Sequence, residues 1–293
     1  MNRSQDISKM EIRLLGQVFH VDATIGLKFW QTIAAKEWEV HSFKIFDHLL
    51  LADEVLLDIG AWAGPLALFA GALGAEVHAV EPDPGVYGAL VTNARLNPQF
   101  SHPVRAYPVA LAPARGKRRL FARKAYGQSS TSLLHRIKDD VMSASCEALT
   151  LQDLAKSAKL ERVDFIKIDI EGGEFQILDD LKRFITSHDV ATLYLSLHFE
   201  HLREAQHLRR WGGGTGARLL FAACQRMGTR RGRRWFTERV EQLWPVVQKF
   251  SHLSDAAGRV IDGRQALLRY LMGGGEELVM THKLWGQARS PSE

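Results

Sequence analysis

Apolar and polar positions along the middle of this chain fall into short blocks whose period changes in a regular order. Residues 42–51 carry apolar side chains at Phe43, Ile45, Phe46, Leu49 and Leu50, the spacing of one helix face. Residues 54–58 (EVLLD) then form a β-type run that ends in a glycine turn from Gly60 to Gly64. Pro65 follows, suited to a first helical turn because its missing N–H costs nothing there, and a helix is expected over 66–73, stopping at Gly74. Residues 76–80 (EVHAV) repeat the strand signal and 86–96 the helical one. Residues 104–111 read as a third strand, with a hairpin strand over 118–122 and a helix over 151–156. The strongest strand candidates are 163–170 (VDFIKIDI) and 190–199 (VATLYLSLHF). Strands alternating with helices predict βαβ units, hence an α/β fold with a doubly wound, mostly parallel sheet. Its connections are expected to be right-handed crossovers.

This core is expected over 51–200, preceded by an N-terminal helical extension over 1–50. Residues 201–293 read as a basic, mainly helical insertion with a closing strand at 277–283 (ELVMTHK), in the same domain. A chain of 293 residues, 46% apolar and 24% charged, can bury a core without staples. Cys146 and Cys224 lack CxxC spacing, which argues against a zinc site or a disulfide framework and for a reducing compartment. The first fifteen residues lack the apolar core of a signal peptide, and no apolar stretch is long enough to span a bilayer. A cytoplasmic protein without transmembrane segments is expected. Between Arg203 and Arg239 stand ten arginines against two glutamates, an excess greater than the +5 of the whole chain. The basic character therefore belongs to one segment, and the remainder is net acidic.

Candidate chemistry gathers at the strand ends. The segment DIGAWAG at 58–64 runs from strand to glycine turn to helix, a succession that presents backbone N–H groups and a positive dipole end to a ligand. Gly60 suits a tight turn or a close approach of the ligand, and Gly64 lets the helix sit near the sheet. Asp58 offers a carboxylate to an ammonium, directly or through water. Glu81, followed by Pro82, ends the next strand, where an acidic side chain accepts hydrogen bonds from both hydroxyls of a ribose. A glycine turn alone is common for packing; joined to Glu81 it becomes a binding signal. A dinucleotide site prefers G-x-G-x-x-G, whereas this turn reads G-x-x-x-G with Trp62 inside, and Asp58 repels phosphate. A phosphate-free nucleoside with an ammonium fits S-adenosylmethionine. Asp58, Gly60, Ala61, Gly64, Glu81 and Pro82 are the residues expected to bind it.

In DFIKIDIEGGE at 164–174, alternation puts Phe165, Lys167 and Asp169 on one face. Parallel strands are usually apolar throughout, so Lys167 and Asp169 stand out. A buried Lys needs a partner; a structural ion pair with Asp169 or Asp58 is the plain reading of Lys167. Asp169 lies at the carboxyl end, where open α/β sheets bind ligands. Glu171 faces the cleft or caps a helix, and Glu174 serves the helix dipole. His198 ends the strand that carries Tyr194 and Ser196 on the same face. If that strand neighbours the one before it, Asp169 and His198 meet as the catalytic pair, histidine being suited to general-base work. His201 and His207 read as solvated helix residues.

With these residues laid out, the chain resembles the FkbM-type class I methyltransferases. The matching words are VLLDIGAWAG at 55–64, VEPDP at 80–84, SSTSL at 129–133 and VDFIKIDIEGGEFQIL at 163–178, with Trp62 where the family commonly has Asn. The resemblance implies a Rossmann-like fold, S-adenosylmethionine as cofactor and methyl transfer to a hydroxyl of a sugar, glycolipid or natural product. By position, Asp58, Gly60 and Glu81 would bind the cofactor and Asp169 would sit at the active site. A small-molecule or glycan acceptor is expected. A divalent metal on Asp169 with Glu171 or His198 is conceivable chemistry but is not the expectation. The alternatives are an RNA acceptor, held by the arginines with Trp211, Trp235 and Phe236 as stacking platforms, and a non-catalytic interaction protein that keeps the fold.

Overall fold

The computed structural model describes residues 8–284 apart from 25, 123–130, 137–142 and 213–229. The described chain opens with an antiparallel hairpin of β1 (Lys9–Leu14) and β2 (Gln17–Asp22). Leu15 and Gly16 form its turn with φ of 48° and 81°, the positive values that match a two-residue turn to the strand twist. This corrects the helical extension expected over 1–50. The sequence KMEIRL alternates strictly, burying Ile12 and Leu14, so period two wins over that stretch. Helices α1 (Leu27–Ala34) and α2 (Val40–Leu49) follow.

The core then runs β3 (Val55–Ile59), α3 (Pro65–Ala72), β4 (Glu76–Val80), α4 (Pro84–Arg95) and β5 (Arg105–Tyr107). Next come β6 (Val109–Leu111), β7 (Gly116–Phe121), β8 (Ser143–Leu149), α5 (Leu151–Ala158) and β9 (Phe165–Ile168). After α6 (Leu178–His188) and β10 (Thr192–Ser196), the C-terminal part holds α7 (Phe199–Trp211), α8 (Arg230–Val247), β11 (His252–Asp255), α9 (Gly263–Met272) and β12 (Glu277–Thr281). The main sheet has the order β11-β12-β10-β9-β3-β4-β5. The pairs β10–β9, β9–β3, β3–β4 and β4–β5 are parallel, and β12 runs antiparallel to both its neighbours. This is the expected Rossmann-like, mostly parallel α/β fold. The chain leaves β3 toward β4 on one side and returns to β9 on the other, which makes the carboxyl ends of β3 and β9 the topological switch point.

Two strand expectations need correction. Residues 104–111 are not one strand: Pro108, with no N–H to give to a ladder, separates β5 in the main sheet from β6. The latter pairs with β8 in a three-stranded sheet of order β6-β8-β7. Strand β8 itself, SASCEAL, carried too few large apolar residues to announce itself. In the C-terminal part, β11 adds a strand where helix was expected.

Alternation divides the sheet cleanly. Leu57 and Ile59 of β3, Ile166 and Ile168 of β9, and Leu193 and Leu195 of β10 pack on one face with α5, α6 and α8. Leu56, Phe165 and Tyr194 pack on the other with α2, α3 and the N-terminal hairpin. The hairpin is tied down by α4 and the turn after it: Asn93 Oδ1 accepts from the Asp22 amide at 2.8 Å and Asn97 Oδ1 from the His20 amide at 2.7 Å. None of the described helices is long and apolar enough to cross a membrane.

Gly60 sits at the switch point with φ of 80°, and a Cβ there would lie 1.8 Å from the carbonyl oxygen of Asp169. Both the backbone conformation and the close approach of the β9 loop require glycine. Gly60→Ala is expected to destabilise the fold by about 1–3 kcal/mol from backbone strain alone, and by more through the clash. The urea-unfolding midpoint measures it; an unchanged midpoint would contradict the packing described.

Candidate active site

The face that carries Leu56, Phe165 and Tyr194 also carries Asp58 and Lys167, because all five share one parity of their strands. Register sets Asp58 of β3 beside Lys167 of β9, and Lys167 beside Tyr194 of β10. Lys167 Nζ donates to the Gly60 carbonyl at 2.9 Å and stands 3.5 Å from both Asp58 Oδ1 and Asp169 Oδ2. Asp58 is fully buried and neither of its oxygens accepts a hydrogen bond. Burial raises its pKa despite the nearby ammonium. For Lys167 burial pulls the pKa down, and the charges of Asp169 and Asp58 outweigh it, so the ammonium is held. Both carboxylates face Lys167. Glu39 and Glu81 add further carboxyl groups to the lining, which suits a positively charged ligand.

The glycine turn is arranged differently from expectation. The amides of Gly60 and Ala61 donate to the Val80 carbonyl, that of Gly64 to Ala61, and that of Trp62 to Glu81 Oε2 at 2.9 Å. These four N–H groups are engaged, three of them by the end of β4, so they form no cradle for an anion. Glu81 Oε1 accepts from the Asp83 amide at 2.7 Å, which fixes the carboxylate at the end of β4. Burial pushes its pKa up to about 7. Asp58, Gly60, Ala61, Glu81 and Pro82 all line one cavity. Gly64 does not: a Cβ there would meet Leu90 Cδ1 at 2.6 Å, so its part is to let α3 approach α4.

Asp169 and His198 line the same cavity, with His198 Nε2 3.5 Å from Asp169 Oδ1. Because β9 and β10 are neighbours, the two strand ends meet as expected. Glu174, expected to serve a helix dipole, instead lies buried beneath them. Its Oε1 accepts from the amides of Gly172 (3.0 Å) and Ile170 (3.3 Å) and lies 3.2 Å from His198 Nδ1. Burial alone would lower the pKa of His198; the hydrogen bond to Glu174 and the charge of Asp169 outweigh it and raise the ring to about 10. His198 is therefore an imidazolium near neutrality. Burial raises the pKa of Asp169, yet Lys167 and His198 outweigh it and hold the carboxylate below its ordinary value. His201 also departs from the solvated position expected for it: its Nδ1 is 2.8 Å from Glu171 Oε2 and 3.2 Å from the buried Arg136.

The sequence pattern of the Methyltransferase FkbM domain matches residues 54–224, more than half of the chain and all of the cavity lining except Trp38 and Glu39. The chain belongs to the FkbM methyltransferase family. Its cofactor is accordingly S-adenosylmethionine. Solved structures of such enzymes are similar at low identity. Methyltransferase FkbM from Methylobacillus flagellatus KT is 20% identical over 63% of this chain and 45% of that one, with a TM-score of 0.38. A SAM-dependent methyltransferase from Agrobacterium tumefaciens is 15% identical over 67% of this chain and 54% of its own, with a TM-score of 0.36. The chain thus spans about half the length of these two. Among curated proteins no sequence matches it.

The cavity of this FkbM-family protein fits that cofactor on its own chemistry. Among the described residues neither oxygen of Asp58 has a hydrogen-bond partner, and Glu39, Glu81 and Asp169 add carboxyl groups to the same cavity lining. Sequence reasoning missed several of the walls. Trp38 and Glu39 come from the N-terminal region, and Trp62 packs edge-on against Phe29 at 4.3 Å. Thr131, Ser132 and Leu133, part of the family word SSTSL, line the opposite side; Ser129 and Ser130 fall outside the described residues. Thr131 donates to Asp83 Oδ2 and Ser132 to the Glu171 carbonyl, each at 2.9 Å. The motif itself was the signal that these residues belong to the site.

Asp169, Glu171 and His198 could turn one atom each to a common point, all within 4.8 Å of one another. Side chains of the protein already occupy that neighbourhood: Lys167 beside Asp169, and Arg136 at 3.6 Å and the His201 ring at 2.8 Å beside Glu171. The aromatics invoked for RNA are also committed. Trp235 and Phe236 pack edge-on against Phe199 at 5.6 and 5.2 Å, and Arg203 and Arg239 lie over the Trp235 ring. The Trp211 side chain, Cys224 and the arginines at 218 and 226 fall outside the described residues.

Two measurements probe this geometry. Should the ionised Glu81 accept from the ribose hydroxyls, affinity for S-adenosylmethionine is expected to fall about tenfold between about pH 8 and about pH 6. Calorimetry should show this step in the unmodified protein and a weak, step-free binding in Glu81→Gln. In Glu174→Gln the negative charge beneath His198 is gone, and the imidazole pKa is expected to drop by at least about one unit. An NMR titration of the ring reads it directly; an unmoved pKa would deny the contact its role.

Proposed function

We propose that this FkbM-family methyltransferase methylates a hydroxyl oxygen, with Asp169 receiving the proton that the hydroxyl loses. S-adenosylmethionine, when bound, supplies an electrophilic methyl group whose transfer leaves a neutral thioether. The observation that carries the reading is the suspension of Asp169 between two cations, with Lys167 at Oδ2 and His198 at Oδ1, each 3.5 Å away. Such a clamp orients the carboxylate without consuming it.

His198 was the other candidate for the base. A ring protonated up to about pH 10 has no lone pair to offer near neutrality, so its part becomes orienting Asp169. A carboxylate of low pKa is a modest base, but it is sufficient here. An oxygen that has gained a methyl while keeping its hydrogen is strongly acidic, and the proton passes to any carboxylate within reach. Most of the rate enhancement then comes from holding the reactants in line. Asp58 and Glu81 are assigned to the cofactor's ammonium and ribose hydroxyls, with Gly60, Ala61 and Pro82 as the surrounding wall.

Methyl transfer from cofactor labelled with ¹³C in the methyl group tests the assignment. The labelled carbon of the product is expected to resonate as an O-methyl. A product labelled on nitrogen or carbon would overturn the proposal. Asp169→Asn is expected to lower turnover by about 10²–10⁴-fold while calorimetry shows the cofactor still bound.

A further inference from the structure

Trp62 departs from ordinary protein structure twice. Its φ is 49°, in the left-handed region that a bulky side chain rarely adopts. Its indole Nε1 is buried and has no hydrogen-bond partner among the described residues, although a buried donor is normally answered. Backbone strain of this kind gathers at ligand clamps and active sites. The ring lines the cofactor cavity and is braced there. Phe29 of α1 meets it edge-on at 4.3 Å, and Trp38 meets Phe29 in the same manner at 4.9 Å. Phe29 and Trp38 both lie outside the stretch that the family pattern covers, so this aromatic corner is completed by the N-terminal part of the chain.

The amino-acid end of S-adenosylmethionine carries an ammonium and, on the same carbon, a carboxylate. With the ammonium at Asp58, that carboxylate enters a lining that already holds the carboxyl groups of Glu39, Asp58, Glu81 and Asp169, and it needs a donor. The amides of Gly60, Ala61, Trp62 and Gly64 are engaged. So are the side chains of Thr131, Ser132 and Lys167, and His198 stands between Asp169 and Glu174. Among the described side chains that line the cavity, Trp62 Nε1 is the buried donor without an acceptor, and Asp58 is the acid whose oxygens accept from no donor. Pro65 and Leu66, the first residues of α3, line the same cavity, and the positive end of a helix dipole favours an anion beside them. An unanswered donor and an unanswered acid in one pocket are the complement of a zwitterion.

We infer that the indole N–H of Trp62 donates to the carboxylate of S-adenosylmethionine and so selects a cofactor with an intact amino-acid end. The inference rests on the assignment of Asp58 to the ammonium and is independent of the methyl acceptor. Phe29 and Trp38 hold the ring in place, so the donor is oriented before the ligand arrives.

Calorimetry on the full chain tests this with two probes, S-adenosylmethionine and its decarboxylated form, which keeps the ammonium and the sulfonium. Trp62→Phe retains an aromatic ring and removes the N–H. It is expected to weaken S-adenosylmethionine by about ten- to a hundredfold, the range of a hydrogen bond to a charged group, and to leave the decarboxylated form unchanged. In the unmodified protein labelled with ¹⁵N, the Trp62 indole proton, assigned through its own backbone, should move further downfield with S-adenosylmethionine than with the decarboxylated form. This second measurement does not depend on the variant folding. Equal loss of both probes in Trp62→Phe would make Trp62 a packing residue and overturn the inference. Undiminished affinity for S-adenosylmethionine, or an indole proton that answers both probes alike, would do the same. Asp58→Asn, by contrast, is expected to weaken both probes; if it weakens neither, the ammonium assignment fails and the inference with it. Failure of the unmodified protein to bind either probe is a separate result, and it would overturn the cofactor reading itself.

Discussion

The ammonium of Lys167 is the point on which this site turns. It is buried in the middle of a parallel sheet, a place that tolerates charge only when charge is answered. Asp58 and Asp169 answer it from either side, and the Gly60 carbonyl takes a hydrogen bond from it. Removing one member of such a buried group typically costs about 3–5 kcal/mol, because the remaining charges are left unpaired. Lys167 thus couples the ends of two strands, β3 and β9. The carboxylates of Asp58 and Asp169 and the glycine turn cannot move independently of one another.

That coupling follows from the register of β3 and β9. Asp58 and Asp169 come from adjacent strands at the switch point, and the parity that buries Leu56 and Phe165 also turns both acids, with Lys167, to the same face. From Asp169 the chain of contacts continues through His198 to Glu174, which two backbone amides of the β9 loop hold in place. The loop itself bends through positive φ at Glu171 and Gly172, 58° and 101°, strain that the surrounding hydrogen bonds sustain. A string of alternating charges therefore runs from the floor of the cofactor cavity to the buried Glu174.

Much of the core was legible from pattern alone. Strands β3, β4, β9 and β10 and helices α2 to α5 lie within a few residues of their expected places, because each has an unbroken period. The hairpin at residues 9–22 was equally legible in KMEIRL and the Leu15–Gly16 turn, but a helical reading of the region overrode it. Strand β8 and the break at Pro108 were harder: small residues and a three-residue strand leave no period to detect. Glu174 and His201 show the other limit. Their partners are 24 and 30 residues away in sequence, and no local rule distinguishes a buried acid under a histidine from one that caps a helix.

By itself, the sequence determined the class of fold, the family and the identity of the acids at the strand ends, since periodicity and local words need only neighbours a few residues apart. Tertiary structure decided what those acids meet. It set the neighbours β9 and β10 together, engaged four amides of the glycine turn, placed two acids beside His198, and packed Trp235 and Phe236 against Phe199. Charges and hydrogen bonds act through space over a few ångströms, and only the folded chain says which residues share that distance.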